Sequence, residues 1–267
     1  FCLFNNIAVG ARYMQREHGA KRIAIIDWDV HHGNGTSDIF AEDDSVLFFS
    51  MHRFDSQGFY PGTGLLEDAG RTSARGYTVN VPLDKGFGDL DVCHVMRYVL
   101  CPLMEKFQPE AIFVSAGFDA VKGDPLGDCK VTPEGFGWMT RCLHRLAEHY
   151  CQGRLFLALE GGYNPDMIAQ CTVECLRSLV AEAHGVSESG NWTGLIPPAM
   201  SPPPSVPGTP ACMSPAPSPC ISSDAEVTPT STPRMVPSSR VPGSPMPPGS
   251  PAPGGERKQK VKGPSSK

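Results

Sequence analysis

Two acids, two histidines and a Gly-x-Gly turn fall within one short stretch, Asp27-Trp28-Asp29-Val30-His31-His32-Gly33-Asn34-Gly35. On an extended chain, alternation sends Asp27, Asp29 and His31 to one side and Trp28, Val30 and His32 to the other. Asp29 and His31 can then reach one ion together. A carboxylate and an imidazole at i and i+2 suit a Zn²⁺ site that still needs a third ligand and an open position for water. A lone Asp at a strand end is ordinarily a helix cap or a turn former. Four ionisable groups in six residues are different, because burying that much charge without a cation is very costly.

The elements that must position these groups are legible around them. Ile23-Ala24-Ile25-Ile26 is a continuous apolar run, as expected of a strand buried on both faces of a parallel sheet. In an open α/β sheet, ligands sit beyond the carboxyl ends of the strands, where the polar cluster falls. Two more runs repeat the design. Ala111 to Ala116 leads through Gly117-Phe118 to Asp119, and Leu155 to Leu159 leads through Glu160-Gly161-Gly162 to Tyr163. Asp119 would supply a second carboxylate. The Tyr163 hydroxyl could donate to an oxyanion while a metal polarises the same carbonyl. By itself Asp119 reads as a turn acid and Tyr163 as a core tyrosine; their shared end of the sheet lifts both.

Further strands are expected at Val46–His52 and Tyr77–Pro82. Helices are expected over residues 3–18, closing at Gly19, and over 36–40, 90–107, 133–150 and from the Asn164 cap to about Ala183. Strand and helix alternate, which predicts an α/β fold: a parallel sheet with helices on both faces, followed by a disordered tail.

Composition divides the chain. Twenty of the 27 prolines lie from Pro197 onward, and residues 1–196 carry a net charge of −9. An acidic domain is not built to bind duplex DNA directly. No apolar run reaches membrane-spanning length. The ten cysteines show no CxxC spacing and read as reduced core thiols of an intracellular protein. The expected organisation is a catalytic domain over 1–190 and a disordered tail over 191–267, too rich in Pro, Ser and Gly to offset the entropy of ordering. Eight Ser/Thr-Pro dipeptides in the tail are candidate phosphorylation sites for phospho-dependent or corepressor partners, or else mark an inert spacer. Arg257-Lys258-Gln259-Lys260-Val261-Lys262 is a weak nuclear-targeting candidate.

The motifs IIDWDVHHGNGT, FYPGTG, VSAGFDAVKGDPLG and LEGGYN, in that order, make residues 1 to about 184 similar to the zinc-dependent histone deacetylase family. The resemblance implies the arginase/deacetylase-like sheet and hydrolysis of N-acetyl-lysine in proteins such as histone tails. It implies Asp29, His31 and Asp119 as zinc ligands and Tyr163 as the transition-state hydroxyl. It also implies a monovalent cation, usually potassium, held by Asp27, Ser50 and nearby backbone oxygens. Phe1 and Tyr60 would line the tunnel for the acyl-lysine chain. Asp124 has the look of a further ligand, but the family places the ligand at the Asp119 position, so Asp124 is read as structural. GFDAVKGDPLG and LEGGY resemble class II, and Tyr163 resembles the active class IIb type rather than class IIa members with His there. Leu126 stands where polyamine-selective relatives have Glu, which favours an acetyl-lysine protein substrate. Location in the nucleus, the cytoplasm or both would follow.

Two departures stand out. The family's tandem general-base histidines are not His31-His32 and are expected upstream of Phe1, so the chain reads as an amino-terminally truncated catalytic domain. Tyr60 replaces the usual tunnel Phe. Two other readings remain open: a catalytically incomplete scaffold fragment, and a two-manganese ureohydrolase-like enzyme, for which His32 and Asn34 stand where further carboxylates would be needed.

Overall fold

The computed structural model describes residues 3–55 and 58–183. The expected tail, from 191, and Phe1 lie outside the described residues.

Five strands form one parallel sheet: β1 (Ile23–Asp27), β2 (Val46–Arg53), β3 (Thr78–Leu83), β4 (Ala111–Ala116) and β5 (Leu155–Leu159). Their order is β3-β2-β1-β4-β5, so the central strand is the one that leads into the polar cluster. The order reverses direction between β1 and β4, and there the crevice beyond the carboxyl ends is widest for a ligand. Register places Asp27 beside Ser50 on one neighbour and beside Ser115 on the other.

Alternation along β1 decides the two cores. Ile23 and Ile25 pack with Ile7, Ala11, Phe48 and Phe113 under helix α1 (Asn6–His18). Ala24 and Ile26 face a larger cluster with Leu47, Phe49, Val114, Phe136 and Leu143. That second layer is built from α3 (Asp89–Val95), α4 (Cys101–Phe107) and α5 (Pro133–Cys151). Helix α6 (Pro165–Ala183) packs on α5. All residues of β1 are buried, as the continuous apolar run required, and each fully buried Ile contributes roughly 1.5–3 kcal/mol relative to exposure.

Local chemistry sets the ends. The Asn5 side chain accepts from the Ala8 amide at the start of α1, and Gly19 closes it in the left-handed region at φ 68°. The short helix α2 runs Asn34–Phe40, two residues longer at its start than expected. Thr132 caps α5 by accepting from the Gly135 amide, and Asp89 holds Thr132 through both its amide and its hydroxyl at 2.8 Å. Asn164 caps α6, its oxygen accepting from the Met167 amide at 3.3 Å. The single helix expected over 90–107 is instead α3 and α4 joined by a π turn at Met96–Leu100, with Pro102 inside the first turn of α4. Proline has no amide to donate, which is tolerated at a helix's first turn but not in its interior.

Candidate metal centre and catalytic crevice

The chain extends past β1 and keeps its alternation for four residues, Trp28 to His31. Trp28 and Val30 are buried in the larger core with Ala24 and Ile26. Asp29 and His31 turn the other way. There they meet Asp119, which follows β4, and one ligand atom from each of the three lies within 4.8 Å of the others. His31 Nδ1 stands 3.0 Å from Asp29 Oδ1 and 3.1 Å from Asp119 Oδ2. The alternation stops at His32, which was expected on the Trp28 side. It packs instead against Phe48 and His52, with ring centroids 6.4 and 4.8 Å away, and its Nδ1 is 2.8 Å from the Thr63 hydroxyl. β1 ends at Asp27, so nothing enforces the pleat that far.

Backbone amides hold the acids in place. Asp119 Oδ1 accepts from the Val30 amide at 2.7 Å, Asp29 Oδ1 from the His31 amide at 2.8 Å, and Asp29 Oδ2 from the Gly161 amide at 3.0 Å. Gly161 is glycine for a steric reason: a Cβ there would collide with the carboxylates of both Asp119 and Asp29. The turn after β5 is thereby pressed directly onto the cluster.

Electrostatics mark the cluster as short of positive charge. Burial, reinforced by the Asp29 charge, raises the Asp119 carboxyl to about 6, against the opposing effect of the His31 bond. Burial alone would lower His31, but its bonds to Asp119 and Asp29 prevail and raise it to about 9. Asp27 is fully enclosed, and burial followed by the neighbouring Asp29 charge pushes its carboxyl well above the usual range. Its Oδ1 accepts from the Asp29 amide at 3.1 Å. On the neighbouring strand, burial and then the nearby His32 lower the His52 imidazole to about 4. Its Nε2–H donates to the Gly64 carbonyl at 2.9 Å, so its Nδ1 accepts from the Ser50 hydroxyl at 2.9 Å. The Ser50 oxygen therefore keeps its lone pairs as acceptors.

A cavity of about 710 Å³ opens above these groups, lined among others by Asp29, His31, Tyr60, Glu160 and Tyr163. Tyr163 is 39% exposed and Tyr60 55% exposed, both at the crevice mouth. Leu126 is exposed but does not line the cavity. Two contributors were not singled out from sequence. Phe59 stacks on the His31 ring at 5.0 Å, nearly parallel, and the Arg53 guanidinium lies over the Phe59 ring at 4.1 Å. Arg53 is itself held by the Asp55 carboxylate and the Gly127 carbonyl. The FYPGTG motif pointed to the loop; the stacking depends on its path. Asp124 is not one of the three clustered ligands and instead ties together backbone amides, one of them that of Tyr163.

A parallel sheet with two carboxylates and an imidazole converging beyond its central strands makes this an α/β protein with three side chains placed where they could hold a metal ion. Comparison with known proteins makes that specific. The histone deacetylase domain matches residues 1–179, and the chain belongs to that family. It is 45% identical over 183 residues to histone deacetylase 15 of Arabidopsis thaliana, covering 68% of this chain and 32% of that one. It is 42% identical over 191 residues to the chloroplastic histone deacetylase 14 of the same plant, covering 72% and 44%. The solved HDA15 HD domain superposes with a TM-score of 0.64 at 44% identity, over 68% of this chain and 50% of that one. The chain thus spans less than half the length of these two curated relatives. The expected arginase/deacetylase-like architecture is the one observed.

Proposed function

We propose that the chain carries the metal centre of a zinc-dependent protein lysine deacetylase, hydrolysing the amide of N-acetyl-lysine in substrates such as histone tails. The observation that carries this reading is the convergence of Asp29, His31 and Asp119, with Asp29 and His31 lining the same crevice as Tyr163. The donor set fits the ion: two carboxylates and one imidazole leave a fourth position open, as catalytic zinc sites do. Burial first, and then the Asp29 charge, raise the Asp119 carboxyl, and a cation held between the two acids would offset both. When bound, zinc would act as a Lewis acid toward the acetyl carbonyl and an attacking water.

The chain's own residues do the rest. Asp29, His31 and Asp119 hold the ion. Tyr163 donates its hydroxyl hydrogen bond to the carbonyl oxygen as that oxygen gains charge. Tyr60, at the crevice mouth, flanks the acyl-lysine chain; Phe1, expected beside it, lies outside the described residues, and Leu126 is exposed outside the cavity lining. Removal of the water proton needs a further base, because the three histidines nearest the cluster are engaged: His31 with the acids, His32 with Thr63 and His52 with Ser50 and Gly64. Asp27 and Ser50 form a second, monovalent cation site suited to potassium. Support comes from the enclosed Asp27 carboxyl and from the lone pairs left on the Ser50 hydroxyl oxygen, which donates its hydrogen bond to His52 Nδ1. The class IIb-like activity, tail-mediated partners and a nuclear or cytoplasmic setting complete the reading.

The test is metal analysis joined to acetate release. The chain should bind one zinc. Loaded, it should release acetate from an N-acetyl-lysine peptide when imidazole is supplied as the proton acceptor. Full zinc with no acetate released under that rescue would overturn the hydrolytic reading. Two manganese ions per chain would instead favour the ureohydrolase-like alternative.

A further inference from the structure

Asp124 makes three short bonds that no ligand role explains. It is 7% exposed. Its Oδ1 accepts from the amides of Leu126 at 2.8 Å and Gly127 at 3.0 Å, closing the turn on the segment that carries Asp119. Its Oδ2 reaches across to the next strand's loop and accepts from the Tyr163 amide at 2.7 Å. A second strap joins the same two loops, the Asn164 side-chain amide donating to the Gly123 carbonyl at 3.0 Å. Tyr163 follows Gly162, whose φ is 126°, a conformation that leaves the turn's direction to be fixed by such bonds.

We propose that Asp124 is the positioning residue of Tyr163, locking its backbone so that the hydroxyl stays over the centre formed by Asp29, His31 and Asp119. The inference rests on the Tyr163 role proposed above. One buried carboxylate then holds Tyr163 of the crevice through Oδ2 and its own turn, at the Leu126 and Gly127 amides, through Oδ1. Its two oxygens have divided duties, so a single substitution separates them. In Asp124→Asn the amide oxygen can keep accepting from Leu126 and Gly127. The new NH₂ would then face the Tyr163 amide, donor against donor.

Hydrogen exchange followed by NMR on the full chain tests the bond without turnover. The Tyr163 amide should be protected in the unaltered chain and exchange at least tenfold faster in Asp124→Asn, with Leu126 and Gly127 still protected. Asn164→Ala should leave the Tyr163 amide protected. An unprotected Tyr163 amide in the unaltered chain would overturn the proposal with no variant needed, as would equal release by Asn164→Ala. Binding of acetohydroxamate to the zinc-loaded chain supplies the functional arm, since its carbonyl can accept from the Tyr163 hydroxyl. Asp124→Asn and Tyr163→Phe should weaken it by similar factors, and the double variant should be no weaker than either. An equal loss on adding Asp124→Asn to Tyr163→Phe would show Asp124 acting elsewhere. Undiminished binding by Tyr163→Phe would overturn the Tyr163 role itself, an outcome that the exchange data separate from failure of the Asp124 bond.

Discussion

At the residue scale, the proposed zinc centre depends on three side chains that each sit one short step past a buried strand. Losing one leaves too few protein ligands to hold the ion. Asp29→Ala or His31→Ala should therefore abolish zinc retention, and full zinc in either variant by metal analysis would remove the assignment. Tyr163 is proposed as a donor to the substrate and not as a ligand of the ion. Tyr163→Phe should keep its zinc and its substrate KM while turnover falls on the order of 100- to 1,000-fold, the usual loss for one oxyanion donor. Near-normal turnover would leave the metal alone to polarise the carbonyl. Asp29 and His31 were legible in the sequence because i and i+2 spacing survives even where the strand has formally ended. Asp119 was legible because its strand repeats the first. His32 was not placed correctly, and the bond from Asp124 to Tyr163 was not visible, because both depend on how a loop turns rather than on any period.

At the element scale, the sheet was readable because parallel strands buried on both faces are written as unbroken apolar runs. The break of the 90–107 helix was less readable, since its apolar spacing continues across the π turn at Met96–Leu100. Two elements carry tests. The turn after β5 touches the cluster through Gly161, so Gly161→Ala should weaken zinc binding at least tenfold by competition with a chelator. Undiminished zinc affinity would show that the turn can back away. Strand β2 carries His52, whose ring is buried and whose pKa is lowered to about 4, chiefly by burial and then by neighbouring His32. A histidine with a free value near 6.5 binds its proton more readily in the unfolded chain. Its contribution to stability is therefore whole above about 6.5 and is lost as pH falls toward 4, by up to about 1.4 kcal/mol per pH unit. Asp27 and Asp119 are shifted upward, so they act in the opposite sense on acidification. The clean measurement is the difference in urea-unfolding stability between the unaltered chain and His52→Gln across that window. A difference independent of pH would mean that His52 is not held neutral.

At the scale of the whole described sheet, its two halves are unequally covered. β1, β2 and β4 are buried almost throughout, while β5 is half-buried or exposed along its length, with Phe156 43% and Leu159 60% exposed. On the same flank, α1 shows Val9 and Tyr13 at 64% and 53%. Between them lies a cavity of about 700 Å³ lined by Tyr13, Met14, Phe113 and Phe156. Sequence reading expected β5 to be as buried as its neighbours, because LFLAL is as apolar as they are; the run reports what a strand is suited to, not what covers it. Among the described residues no strand pairs with the outer edge of β5. An apolar strand with free backbone donors and acceptors is a template for pairing with another chain. The isolated chain 1–267 should accordingly bind a hydrophobic dye, associate as its concentration rises, and show little deacetylation without added imidazole. Phe156→Lys places a charge on the exposed edge and should shift the association to higher concentration in sedimentation velocity, at some cost from the lost stack on Phe113, whose centroid is 4.8 Å away. A chain that stays monomeric at all concentrations, without dye binding, would show that this flank is covered by the chain itself.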